Sequence, residues 1–263
     1  MNKILLLLLP ISLSALEMKP WFGELFEFYF TADYTYSRYN KVDHAIPPLK
    51  HPSNDQLVLL GLEFSPASDW DADIEIEFVN TPRQSWGYRS FALQVRRLWL
   101  DENYDDPVSI STGANFRNVN HLSLTDVSCP YATAYDFEMN FAIGKEWCPC
   151  RVFALGAIGA GTGGATWAKA HAAFESNWDK TNRYELFVDS LFGFGSEQTV
   201  DIEHFNSYAH IHYQAVDLGL AYTYATQVWG NFSFSYAHRV YAQSFPANTN
   251  FFMLSYKLPF SLF

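Results

Sequence analysis

The densest chemistry-bearing run is Trp70-Asp71-Ala72-Asp73-Ile74-Glu75-Ile76-Glu77-Phe78, where odd positions carry carboxylates and even positions are apolar. In extended backbone, positions i and i+2 share a face, so the four acids form one negatively charged wall that attracts cations. A second group, His121-Leu122-Ser123, sets an imidazole two residues from a hydroxyl, with Asn118, Asn120 and Asp126 near enough to orient the ring. On an extended segment His121 and Ser123 would have the spacing of a base and a nucleophile. A three-residue pattern without its context arises readily by chance, however, and the sequence weighs against an enzyme. His204, His210 and His212 would share a face of one strand and suit a metal. No carboxylate pattern supports them, so neither a metal nor a cofactor is assigned.

These residues need elements to hold them, and the alternation names the element. A helix would scatter the acids of 70–78 over all its faces, whereas a strand segregates them. The same period of two recurs in the first strand, Leu25–Arg38, with Phe26, Phe28, Phe30, Ala32, Tyr34 and Tyr36 opposite Glu27, Thr31, Asp33 and Thr35. Eleven more such segments follow down to Asn250–Leu258, twelve strands in all. Phe205–Thr226 is read as one long strand, because bacterial single-chain barrels have an even strand number. Connections alternate between short turns, such as Ser65–Asp69 and Glu146–Cys150, and longer loops, such as Tyr39–Asp55 and Asn118–Ala134. Pro259 would break a ladder hydrogen bond, so the last strand is expected to end near Leu258.

The chain begins Met1-Asn2-Lys3, runs apolar from Ile4 to Ile11 and turns small at Ser12 to Ala15. That order is a secretory signal, expected to be cleaved after Ala15, and its apolar core is far shorter than the roughly 20 residues of a spanning helix. Two segments result, a signal at 1–15 and one barrel domain at 16–263. Removing the signal takes away Lys3 alone among the charges and leaves 28 acids against 16 bases, a formal −12. Such a balance excludes nucleic acid, whose phosphates require basic patches.

Export also places Cys129, Cys148 and Cys150 where disulfides are allowed. A bond within Cys148-Pro149-Cys150 would be strained and prone to exchange with a foreign thiol. The expectation is therefore an intermolecular disulfide partner through Cys148 or Cys150. Cys129, in a loop at the opposite end of the strands, should pair with neither.

Aromatics make up 18% of residues, more than a water-soluble β protein needs but suited to the two interfaces of a membrane barrel. Trp21, Trp70, Trp147, Trp178 and Trp229 all fall beside proposed short turns or the start of the first strand, where they would form one aromatic girdle. The polar faces carry small or charged residues such as Ser109, Ser111, Gly113, Thr223 and Ser233, which fit a hydrated lumen better than an outer wall.

With this pattern the chain resembles the class of bacterial outer-membrane β-barrel proteins of porin-like architecture, over essentially all of the mature sequence. Members usually end in an aromatic residue, as this chain does at Phe263. The resemblance implies an all-β, closed antiparallel transmembrane barrel integral to the outer membrane of a Gram-negative envelope, with outer-membrane lipids, the barrel assembly machinery and small solutes as partners. The inward face is expected to gather Glu27, Asp33, Asp71, Asp73, Glu75, Glu77, Asp136, Glu138, Glu175, Glu185 and Asp189 against Arg96, Lys169, Arg183 and Arg239. The favoured reading is a small pore or channel transporting polar or cationic solutes. The alternative is a closed structural or adhesive barrel without conductance, and an outer-membrane lipid hydrolase using His121 and Ser123 comes third.

Overall fold

The computed structural model describes residues 19–179, 181–226 and 229–261, apart from the side chain of Trp178. The expected signal at 1–15 and the terminal Phe263 lie outside the described residues. Among those described, twelve long strands close into one barrel. They are β1 (Glu27–Tyr39), β2 (Ser53–Ala67), β3 (Trp70–Asn80), β4 (Gly87–Leu100), β5 (Ser109–Val119), β6 (Tyr135–Trp147), β7 (Cys150–Gly161), β8 (Thr166–Asp179), β9 (Asn182–Phe194), β10 (His212–Ala225), β11 (Asn231–Gln243) and β12 (Asn250–Ser261). Each pairs antiparallel with its sequence neighbours, and β1 closes on β12 from Glu27 opposite Ser261 to Arg38 opposite Asn250.

Among the described residues closure gives every strand a partner on both sides over most of its length, which is what a β structure needs to cross lipid. The strands run from 11 residues in β3 to 15 in β2, enough to span a bilayer core, which takes about 9–11 residues in a tilted strand. Alternation then sorts the faces. On β6, Phe137, Met139, Phe141 and Ile143 point outward and are exposed, while Asp136, Glu138, Asn140 and Ala142 point inward and are buried. Ile74, Ile76, Leu93, Leu186, Leu220 and Leu254 extend that apolar surface to other strands. A band of this kind is the lipid-facing belt of a transmembrane barrel.

Most strand boundaries shift by one to three residues from the sequence reading, and two of the differences have a clear cause. Residues 205–226 contribute one strand, as expected, but it starts at His212 and not at Phe205. Phe205, Tyr208 and Ile211 are buried in a cluster with loop residues such as Val42, Val127 and Phe245 and with strand-end residues such as Tyr39 and Tyr213, so their apolar side chains hold the loop to the barrel and do not extend the strand. At the other end β12 runs through Pro259 to Ser261. Its last residue paired with β11 is Lys257, opposite Asn231, and beyond it only β1 is alongside. A proline is tolerated where a strand has one free edge.

The shortest connections, 68–69, 148–149 and 180–181, gather at one end of the barrel, the turn end, and the three longest, 40–52, 120–134 and 195–211, at the other, the loop end, while 101–108 and 162–165 depart from that split. The long loops are bound to one another. Val200–Asp201 pairs with Ala45–Ile46, Lys41–Val42 pairs with Pro246–Ala247, and the Tyr208 hydroxyl donates to Val127 O at 2.8 Å. Arg83 Nη2 donates to Ile202 O at 2.6 Å. Tyr39, Val42, Val127, Val200, Phe205, Tyr208, Tyr213 and Phe245 pack into the apolar core beneath them, so the loops form a cap over that mouth.

Candidate functional site

The lumen is built by the inward face of every strand, and its charges form ladders. Arg117 on β5 donates from Nη2 to Glu75 Oε2 at 3.1 Å and from Nη1 to Ser90 Oγ at 2.9 Å, and its Nη1 lies 3.5 Å from Glu77 Oε1. Tyr131, descending from the loop between β5 and β6, lays its ring 4.6 Å from that guanidinium and donates its hydroxyl to Glu77 Oε1 at 2.6 Å. Nearer the turn end, Arg96 binds Asp71 through two nitrogens and approaches Asp73 at 3.5 Å and Glu63 at 3.8 Å. Lys169 meets Glu138 at 2.6 Å, and Arg239 forks onto both oxygens of Asp217 at 2.7 and 2.8 Å. Bidentate geometry of that kind fixes both partners.

Beside these ladders lies a cavity of about 360 Å³, bounded by β1, β2 and β3 on one side and β7 to β12 on the other. Asp33, Glu63, Asp73, Glu75, Glu77, Glu175, Glu185 and Asp189 line it, against Lys19, Arg183 and Lys257. Acids therefore exceed bases on its wall even though Arg96 and Arg117 neutralise part of the excess from behind. His171 also faces the cavity, with Nδ1 3.3 Å from Asp189 Oδ1 and its ring 4.9 Å from that of Phe153. Towards the loop end the space narrows to a second cavity of about 60 Å³ between Tyr39, Arg89, Tyr131, Arg239 and Phe245.

The fold is that of bacterial outer-membrane channels. The structure is similar to an outer membrane channel from Pseudomonas putida F1, with a TM-score of 0.67 at 10% identity over 92% of this chain and 98% of that one. It is also similar to the NanC porin, with a TM-score of 0.58 at 9% identity over 86% of this chain and 100% of that one. The KdgM porin in complex with disordered oligogalacturonate gives 0.53 at 7% identity over 88% and 99%. No protein-family model matches the chain, and no curated protein matches it in sequence.

Of the charges read from alternation, Asp71, Asp73, Glu75, Glu77, Arg96, Asp136, Glu138, Lys169, Glu175 and Arg239 are buried inside the barrel, and Arg183 and Glu185 stand half-buried at the cavity. Asp136 is tied to the nearby loop, accepting from the Thr133 hydroxyl at 2.6 Å. Glu63, Arg117, Asp217 and Lys257 belong to the same network and were missed. Each shares parity with inward small residues on its strand, as Lys257 does with Ser255, so the signal was present.

The turn-end mouth holds something alternation cannot register. Lys19 to Phe22 precede β1 and lie across that mouth. Arg96 Nη1 donates to Lys19 O at 2.9 Å, Trp21 Nε1 donates to Glu102 Oε1 at 2.9 Å, and the Arg96 guanidinium lies 4.9 Å from the Phe22 ring. Gly144 on β6 leaves room for them, since a Cβ there would come within 2.6 Å of Pro20 Cγ and 2.8 Å of the Trp21 ring. Trp21 therefore corrects the expected girdle. Its ring meets Phe153 edge-on at 5.8 Å inside the barrel, because an ordered segment before β1 folds back into the mouth. Trp70, Trp147 and Trp229 are exposed at the turn end, joined there by Trp99.

The remaining pairs are not brought together as expected. His121–Leu124 is a single helical turn capped by Asn120, not an extended segment. Positions i and i+2 of a helix face apart, so His121 is exposed while Ser123 is buried and donates to Gln84 Oε1 at 2.9 Å. Asp126 accepts from Thr81 rather than from an imidazole. His204 is exposed beside Asp201, and His212 starts β10, so the three histidines share no strand face. The three cysteines are free, Cys148 exposed at the turn end and Cys129 buried at the loop end. The strained bond considered for Cys148 and Cys150 is not formed, and Cys150 Sγ instead lies 3.8 Å from Ser176 Oγ.

Proposed function

We propose that this protein is an outer-membrane channel for small polar solutes, with preference for cations. The observation that carries the reading is the cavity of about 360 Å³ inside a twelve-stranded barrel whose wall has more carboxylates than cationic groups. A charged lumen of one sign concentrates counter-ions and repels like ions. The turn end then faces the periplasm and the capped loop end the exterior. The chain reaches this location through a cleaved signal at 1–15, the barrel assembly machinery inserts residues 16–263, and Cys148 or Cys150 is the position open to exchange with a partner's thiol.

Purified protein in planar bilayers tests the reading. Stepwise currents with a reversal potential favouring cations in a salt gradient are expected, and an anion-favouring reversal potential refutes the charge argument. One observation favours a second reading, a closed structural or adhesive barrel: the loop cap at one mouth and Lys19 to Phe22 at the other both narrow the path. Absence of current under all voltages, with intact heat-modifiable gel mobility, would select it.

A further inference from the structure

Lys19 does not sit in the mouth as a passive lining residue. Its ammonium lies 3.3 Å from Glu175 Oε2 and 3.6 Å from Glu185 Oε2, with Nζ 5.5 Å from the centre of the Phe153 ring. Two carboxylates and an aromatic face around one compact N–H donor make an ammonium-recognition geometry. The acids come from β8 and β9 and the ring from β7, all part of the rigid wall, whereas Lys19 belongs to a segment outside the sheet. Glu175 is buried, and its Oε1 has no hydrogen-bond partner. The same residues open directly onto the main cavity.

We propose that Phe153, Glu175 and Glu185 form a binding site for the primary ammonium group of a solute. Lys19 occupies this site from within the chain, and an entering ammonium displaces Lys19 and with it the Lys19–Phe22 plug. The inference deepens the channel reading and rests on it for its transport role, while the site itself does not depend on conductance. Primary ammonium is the class selected because it offers several N–H donors on a small charge, as Lys19 does. A quaternary ammonium has the charge and the ring affinity but no donor for the two carboxylates. Arg151 shares Glu175 Oε2 at 2.7 Å and Arg183 lines the same part of the cavity, so when Lys19 leaves the site loses one of its three cations and keeps both acids.

The test uses the full barrel in detergent with n-butylammonium as probe and tetramethylammonium as control, read by calorimetry. An internal competitor that leaves the site free one-tenth of the time or less lowers apparent affinity at least about tenfold. Lys19→Ala is therefore expected to bind butylammonium about tenfold tighter than the unaltered protein. Glu185→Gln in that background should return the affinity towards the starting value, and tetramethylammonium should bind weakly throughout. Equal butylammonium affinity in Lys19→Ala and the unaltered protein would overturn the proposal. Plug placement is tested separately by Gly144→Leu, whose side chain takes the space held by Pro20 and Trp21. Displacement of the plug is expected to raise butylammonium affinity as Lys19→Ala does, and unchanged affinity with the barrel folded also overturns the proposal. In bilayers, Lys19→Ala should carry more current than the unaltered protein. A protein that never conducts but shows both binding shifts retains the ammonium site and loses the channel reading.

Discussion

Replacing Arg117 by Met is the most demanding test of the charge ladder. The guanidinium is almost wholly buried and serves Glu75 at 3.1 Å and Glu77 at 3.5 Å, both also buried. At an effective dielectric near 20, each contact amounts to about 5 kcal/mol of attraction. Desolvation of the three ions offsets much of this, at several kcal/mol per ion, so the intact ladder adds little net stability. Removing one partner is different, because the desolvation of Glu75 and Glu77 remains without compensation. The expected loss is about 3–5 kcal/mol, which lowers the folding constant by a factor of about 10² to 10³ or more. The measurement is reversible urea unfolding in lipid vesicles followed by tryptophan fluorescence. Adding Glu75→Gln and Glu77→Gln to the Arg117→Met background should recover most of the loss, since neutral amides remove the unpaired charges. A single variant within about 1 kcal/mol of the parent would refute the reasoning, because the carboxylates would then be solvated by water and not by Arg117.

Other outcomes follow from the same wall and its loops. Ile76→Arg places a cation on the lipid face of β3 and should cost about 2–4 kcal/mol in vesicles, while Ser235→Thr on the inward face of β11 should cost much less. Burial pushes the Cys129 thiol above its ordinary range, partly offset by Arg89, so the folded protein holds less thiolate there at any pH. Maleimide should label exposed Cys148 rapidly and Cys129 only after unfolding, and rapid labelling of Cys129 in folded protein would contradict the closed loop cap. Because the folded state keeps that proton more tightly, its contribution to stability is complete below the ordinary thiol range, near pH 8.5, and fades as pH rises through the raised value.

The barrel was legible because its signal is local. A period of two is written into residues i and i+2, so Asp71, Asp73, Glu75 and Glu77 announce one inward face without knowledge of any partner. The even strand number followed from closure, and even the overlooked Glu63, Asp217 and Lys257 obey the same parity. What tertiary structure alone decided concerns contacts between residues far apart in the chain. Lys19 meets Glu175 at a separation of 156 residues, and Tyr208 meets Val127 at 81. The apolar residues 205–211 alternate well enough to extend a strand, yet burying them together under the loops removes more apolar surface from water. His121 and Ser123 have the spacing of a pair only in extended backbone, and an Asn120 cap turned them into a helical turn. Alternation thus determined the wall and its charge, while the occupants of its two mouths were set by long-range packing that leaves no periodic trace.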